Sequence, residues 1–209
     1  MPWQGATCNS SSAVVALPDP KLDNPPAKEK GQETAVFAGG CFWGIEALFG
    51  HVKGVVRATS GYSGGAADTA QYDKVCSGRT GHAEAVEVVF DPSQITFGQL
   101  LKVFFSVAHD PTELNRQGPD VGTQYRSAIF YASDEQRKIS EAYIEQLNLA
   151  KSFDRPIATQ VVALQAFYPA ESYHQGYMAQ HPENMYIVIN DMPKVANLKK
   201  QFPNIYVEK

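Results

Sequence analysis

Cysteine is scarce in this 209-residue chain: Cys8, Cys41 and Cys76 are the only three. That is too few and too scattered for a disulfide scaffold or a four-sulfur zinc site. No apolar run approaches the roughly 20 residues of a membrane helix. The first basic residue is Lys21, so the start of the chain lacks the positive charge of a signal peptide, and the expectation is a cytoplasmic protein with no membrane partner. Charge is sparse as well. Charged residues make up 19%, and 18 basic against 22 acidic side chains leave a net charge of −4. Nothing in that balance attracts a phosphate backbone, which argues against nucleic acid as a partner. With 16 Gly and 13 Pro, the chain has neither a collagen-like nor a low-complexity composition.

Aromatics are abundant, with 10 Tyr, 11 Phe and 2 Trp, so core and pocket walls are easily lined. The length suits one domain with an appended tail. Residues 1–33 hold Ser10-Ser11-Ser12 and 5 of the 13 prolines and read as a flexible arm, followed by the main domain, 34–209. Within it, Thr34–Ala38 reads as a strand, Gly39-Gly40 as a turn, and Cys41–Gly50 as a helix with Phe42, Ile45 and Phe49 in phase. Further strands are predicted at Val55–Tyr62, Ala83–Phe90, Tyr125–Tyr131 and Thr159–Leu164. Thr96 is placed to cap one helix, Ser133 with Gln136 to form a capping box on another, and Asp191 to cap a last short one. Tyr168–Asn184 reads as irregular. The glycines cluster between Gly39 and Gly65, a density that signals close approach of backbone to neighbouring groups or a ligand. The sum is a sheet domain of the α/β or α+β class with a coil-rich C-terminal part.

Cys41 sits where a helix begins directly after a strand, and unpaired N–H groups and the helix dipole favour an anion there, so the thiol is expected to be partly thiolate. A lone cysteine is more often a small buried hydrophobe, and helix position alone does not overturn that reading. The flanking residues do. Gly39-Gly40-Cys41-Phe42-Trp43-Gly44 resembles the signature of the type A methionine sulfoxide reductase family. Further blocks resemble that family in order: Gly61-Tyr62-Ser63-Gly64-Gly65, Tyr72, Val75-Cys76-Ser77-Gly78, Thr80-Gly81-His82-Ala83-Glu84, His109-Asp110-Pro111, Gly122-Thr123-Gln124-Tyr125-Arg126-Ser127 and Tyr173-His174-Gln175.

The resemblance implies a mixed β-sheet with packed helices, a ferredoxin-like α/β plait in a single α+β domain. It also implies thiol-dependent reduction of methionine S-sulfoxide, free or protein-bound, by way of a sulfenic acid on Cys41. Sulfoxide reduction needs a soft nucleophile on sulfur and a proton for the departing oxygen. Strand phase puts Glu84 on one face with Val86, Val88 and Phe90, where burial raises a carboxyl's pKa and keeps it a proton donor. The competing reading, a solvated Glu84 at a frayed strand start paired with Arg79, is settled for catalysis only by the resemblance. The family pattern also maps oxygen-binding phenols onto Tyr72 and Tyr125, and a supporting carboxylate onto Asp120. Phe42 and Trp43 are candidates for the wall around the sulfoxide methyl group.

Two other readings stand beside this one. His82 and Glu84 with His109 or His174 have the ligand types of a metal-dependent oxygenase, and an aromatic pocket also suits a non-enzymatic peptide-binding module. No metal or organic cofactor is implied by the reductase reading. The chain has no cysteine after Cys76, where many relatives carry resolving thiols. Three recycling routes stay open: an external thiol (thioredoxin, glutaredoxin, glutathione or another dithiol), Cys76, or Cys8, whose tether to Thr34 spans roughly 28 Å if flexible. The reductase is expected to act as a monomer.

Overall fold

The computed structural model describes residues 16–209. Strand β1 (Glu33–Gly39) turns through Gly40 into helix α1 (Phe42–Gly50), and the chain returns as β2 (Val55–Ser63). A one-turn helix, α2 (Tyr72–Val75), precedes β3 (Ala83–Phe90), and α3 (Phe97–Val103) runs on into wider π-type turns over Phe104–Ala108. A small hairpin, β4 (Arg116–Gln117) and β5 (Asp120–Val121), leads to β6 (Ser127–Tyr131), α4 (Asp134–Leu149) and β7 (Gln160–Ala163). The chain ends through β8 (Phe167–Pro169), α5 (Tyr177–Gln180) and α6 (Met192–Gln201).

The main sheet has the order β7-β6-β1-β3-β2-β8. All its pairings are antiparallel except β6 with β7, which run parallel. The inner strands β6-β1-β3-β2, with α1 linking β1 to β2 and α3 lying between β3 and β6, make the expected ferredoxin-like plait in one α+β domain. No helix among the described residues is long and apolar enough to cross a membrane.

Alternation along β3 decides which of two cores each residue enters, since both faces of this central strand are covered. Val86, Val88 and Phe90 join the large core, where Phe37 stacks on Phe49 and Phe104 with ring centroids 5.2 and 5.0 Å apart. Ala83 and Ala85 enter a smaller one with Val36, Ala38, Ala128 and Phe130. The cap at Thr96 forms as a full capping box with Gln99. Ser133 accepts from the Gln136 N–H, while the Gln136 side chain accepts from Ala132 and not from Ser133.

Three expectations need correction. The strand predicted from Tyr125 begins at Ser127, because Gly122-Thr123-Gln124-Tyr125 closes a 3-10 turn through the Tyr125 N–H to Gly122 carbonyl bond. Asp191 stands at the start of α6 but caps nothing: its backbone is already helical and its carboxylate turns to Lys194. The arm is docked over its described part. Leu17 is buried in the large core, Lys102 meets Asp19 at 2.7 Å, and the Tyr143 hydroxyl donates to the Pro18 carbonyl at 2.8 Å. Asp23 accepts from the Thr96 hydroxyl and, at 2.9 Å, from the Gly98 N–H. Prolines here stiffen an extended strap that exchanges its solvent contacts for those anchors.

Asp23→Ala removes both bonds to the start of α3 and is expected to cost about 1–2 kcal/mol. The check is a lower urea midpoint with an unchanged slope; an unmoved midpoint would mean that the strap contributes nothing there.

Candidate active site

Cys41 occupies the residue just before α1, at 8% exposure. Gly40 makes the turn at φ +97°, and a side chain there would also strike Gln117. The backbone N–H of Trp43 favours negative charge on the Cys41 sulfur, the helix-start benefit foreseen for a thiolate, although no side-chain cap hydrogen bond forms, and Lys194 adds to it. Burial outweighs both, and negative charge on Glu84 and Asp191 acts in the same direction. The thiol is therefore held well above its ordinary pKa and rests protonated, contrary to the expected partial thiolate.

Glu84, 2% exposed, reaches the same place from β3: its Oε2 accepts the Phe42 N–H at 3.1 Å. The strand phase is as expected, and the carboxyl lies with the large core, not beside Arg79 in solvent. Burial pushes its pKa up to about 8, the Phe42 N–H opposing and the charges of Asp120 and Asp191 adding. Cys41 and Glu84 thus share a nearly dry corner in which a second negative charge is strongly disfavoured.

Phenols surround this pair. Tyr125, brought in by its 3-10 turn, is raised in pKa by burial and by the charges of Glu84 and Asp120. Tyr72 at the start of α2 is raised in pKa by burial, with the neighbouring Cys76 and Glu84 acting in the same direction. Asp120 accepts from the Tyr186 hydroxyl. Phe42 is fully buried against Tyr62, and Trp43 stacks on Tyr177 with centroids 3.9 Å apart, its indole N–H donating to His174 Nδ1 at 3.1 Å.

Several contributors were not found by sequence reasoning. Tyr62 lies opposite Glu84 in the β2–β3 register. Glu171 accepts the Tyr62 hydroxyl at 2.8 Å and the Tyr72 N–H at 2.9 Å, tying β2 to α2. Tyr177, Tyr186, Asp191 and Lys194 come from the C-terminal segment. Its run of aromatics was a visible signal, but the side of the pocket each would take was not.

The sequence model for peptide methionine sulfoxide reductase matches residues 33–205. The chain belongs to that family. It is 59% identical over 179 residues to peptide methionine sulfoxide reductase MsrA 2 of Mesorhizobium japonicum, covering 86% of this chain and 92% of the relative. To MsrA of Pasteurella multocida it is 49% identical, covering 83% of this chain and 98% of the relative. Among solved structures, reduced Mxr1 of Saccharomyces cerevisiae aligns with TM-score 0.69 and 34% identity, covering 78% of this chain and 92% of that one. Methionine sulfoxide reductase A of Corynebacterium diphtheriae aligns with TM-score 0.62 and 39% identity, covering 83% and 90%.

Cys41, Glu84, Tyr72, Tyr125, Phe42, Trp43 and Asp120 all fall in this one site. The histidine and glutamate constellation of the metal-dependent oxygenase reading is not assembled among the described residues. His82 holds the Gly65 N–H at 3.2 Å and meets the Ala66 carbonyl at 3.0 Å, and His109 meets Ser127 Oγ at 2.7 Å and the Phe104 carbonyl at 3.3 Å. Among the described residues no three His, Cys, Asp or Glu side chains converge as metal ligands. Membership of a reductase family also removes the non-enzymatic reading. Cys76 is exposed, and Cys8 lies outside the described residues.

A carboxyl raised on folding binds its proton more tightly in the native chain, so its contribution to stability declines as pH climbs from the ordinary carboxylate range through about 8. The decline is on the order of 4 kcal/mol. Glu84→Gln keeps an acceptor for Phe42 but cannot ionise. Denaturation at pH 5 and pH 8 is expected to show a smaller loss for the variant than for the wild type; equal losses would contradict a buried, protonated Glu84.

Proposed function

We propose that the chain reduces the S epimer of methionine sulfoxide through Cys41 as nucleophile and Glu84 as proton donor. Thiol-dependent reduction of methionine sulfoxide is the reaction of its family. The observation carrying the residue assignment is the meeting of the Cys41 thiol and the Glu84 carboxyl at the first turn of α1, fixed by the Phe42 N–H bond. Phe42 and Trp43 offer the methyl group an apolar wall, and the phenols of Tyr72 and Tyr125 offer donors to the sulfoxide oxygen, with Asp120 holding Tyr186 at the rim. Residues 34–209 form the catalytic domain in this reading.

The protons balance through one carboxyl. Near neutral pH Glu84 carries its proton and gives it to the sulfoxide oxygen, which makes the substrate sulfur electrophilic. The carboxylate so formed takes the Cys41 proton as the sulfur attacks. Oxygen passes to Cys41 as sulfenic acid, the substrate sulfur gains two electrons and leaves as methionine, and Glu84 is again neutral. A resting thiol is no obstacle, since its acceptor appears when the substrate's oxygen is protonated. The sulfenic acid is then reduced by an external thiol, such as thioredoxin, glutaredoxin or glutathione, yielding a disulfide and water.

Cys41→Ser is expected to abolish methionine formation, while Cys8→Ser and Cys76→Ser keep the first turnover; substantial product from Cys41→Ser would overturn the assignment. Glu84→Gln is expected to slow the first turnover by about 10²–10⁴-fold. It would also remove the fall in rate expected of the wild type as pH rises through about 8; a variant with the wild-type rate and pH profile would exclude the role. For recycling, reduced enzyme given excess sulfoxide without reductant is expected to lose one thiol, trapped at Cys41. Prompt loss of two, with Cys41 linked to Cys8 or Cys76 by mass spectrometry, would replace the external route.

A further inference from the structure

Asp191 is fully buried at the junction between the π-type turns Ile187–Asp191 and α6, and its Oδ1 holds Lys194 Nζ at 2.9 Å. Its other oxygen, Oδ2, is buried without a hydrogen-bond partner among the described residues. The pair presses on the first turn of α1. A Cβ on Gly44 would overlap the Asp191 carboxylate and stand 2.9 Å from Lys194 Nζ, so the glycine three residues after Cys41 is what admits the pair. A buried carboxylate with an unsatisfied oxygen is costly, and well-packed apolar residues would serve helix packing better. That cost calls for a use.

We propose that Asp191 and Lys194 are positioning residues for the charge on Cys41, Asp191 opposing negative charge on its sulfur and Lys194 offsetting that opposition. The groups whose charge acts on the sulfur are Glu84 from β3, Asp191 and Lys194, packed on Gly44 from the start of α6, and the phenols of Tyr125 and Tyr186. Asp191 itself faces Lys194, Asp120 and Tyr186. Lys194 is the cation that favours negative charge on the sulfur. Burial keeps the resting thiol neutral, and so quiet toward stray oxidants and electrophiles, while Lys194 keeps its partner from adding the full repulsion of an unpaired carboxylate.

The two ends of the pair have opposite signs, which separates this role from packing. The test is alkylation of the full, reduced chain by iodoacetamide between pH 7 and 10, followed on the Cys41-bearing peptide by mass spectrometry, a readout that needs no turnover and survives failure of the reductase assignment. At a pH below the midpoint, Asp191→Asn is expected to speed alkylation by about tenfold and Lys194→Met to slow it by about tenfold, since a one-unit displacement of a thiol's titration is a tenfold change in thiolate. Lys194→Arg is expected to keep the wild-type profile, and the double variant Asp191→Asn/Lys194→Met to return close to it. Changes of the same sign in both single variants, or unmoved profiles, would overturn the proposal. If Asp191→Asn does not fold, Lys194→Met against Lys194→Arg decides: identical profiles overturn it and a slower Met variant supports it.

Discussion

The hydrogen bond from the Phe42 N–H to the Glu84 carboxyl is the contact on which the site depends. It satisfies one of the unpaired donors at a helix start and one oxygen of a buried acid with the same bond, and it fixes the distance between the strand that carries the acid and the turn that carries the thiol. Neither group is comfortable where it stands. A carboxyl at 2% exposure beside a thiol at 8% destabilises the fold, and what holds the arrangement is the phenylalanine-rich core under β1 and β3. Phe37, Phe49, Phe90 and Phe104 are each fully buried there. At several kcal/mol for each large aromatic side chain, such a core offsets one strained polar corner with room to spare.

Around this fixed corner the chain builds a shell of aromatic side chains whose polar ends are tied to one another. Glu171 holds Tyr62 and the backbone of Tyr72, His174 accepts a hydrogen bond from the Trp43 indole N–H, and Asp120 accepts one from the Tyr186 hydroxyl. The sheet and α1 supply Cys41 and Glu84, whereas the α2 segment, the β4–β5 hairpin and the C-terminal segment supply the walls. Loops can then shape the pocket while the thiol and acid remain on elements packed into the core.

Local pattern was enough for the plait and for the turn and strand face that bring Cys41 and Glu84 together. Period 2 along Ala83–Phe90 placed Glu84 toward the large core, and a strand, two glycines and a helix placed Cys41 at a turn. What was not legible came from long-range packing. That Tyr62 faces Glu84 depends on the β2–β3 register, and no spacing within either strand states it. The docking of residues 16–32 depends on Asp23 finding the open N–H groups of α3, 75 residues away in sequence. The partial thiolate expected of Cys41 was a local inference from the helix dipole, reversed by neighbours that only the tertiary fold brings in. Gly44 shows both sides: the motif marked it, but only the buried Asp191 explains why a side chain cannot stand there.

The elevated proton affinity of Glu84 serves both halves of the proposed cycle. In the first half a neutral carboxyl is needed to protonate an oxide that cannot leave unprotonated. In the second, the incoming thiolate must attack the sulfenic sulfur while hydroxide departs, and hydroxide is again a poor leaving group without a proton. Were Glu84 ionised at neutral pH, its charge would repel the reductant's thiolate in a site where water screens little. A carboxyl with a pKa of about 8 instead meets that thiolate uncharged and hands its proton to the departing oxygen, so that water is lost and a mixed disulfide forms on Cys41. The second external thiol releases the Cys41 sulfur, and Glu84 regains its proton from solvent or from that thiol. In the proposed cycle, dryness, which raises the barrier to ionising Cys41 at rest, is thus the same property that lets one carboxyl act as acid toward two different oxygens in turn.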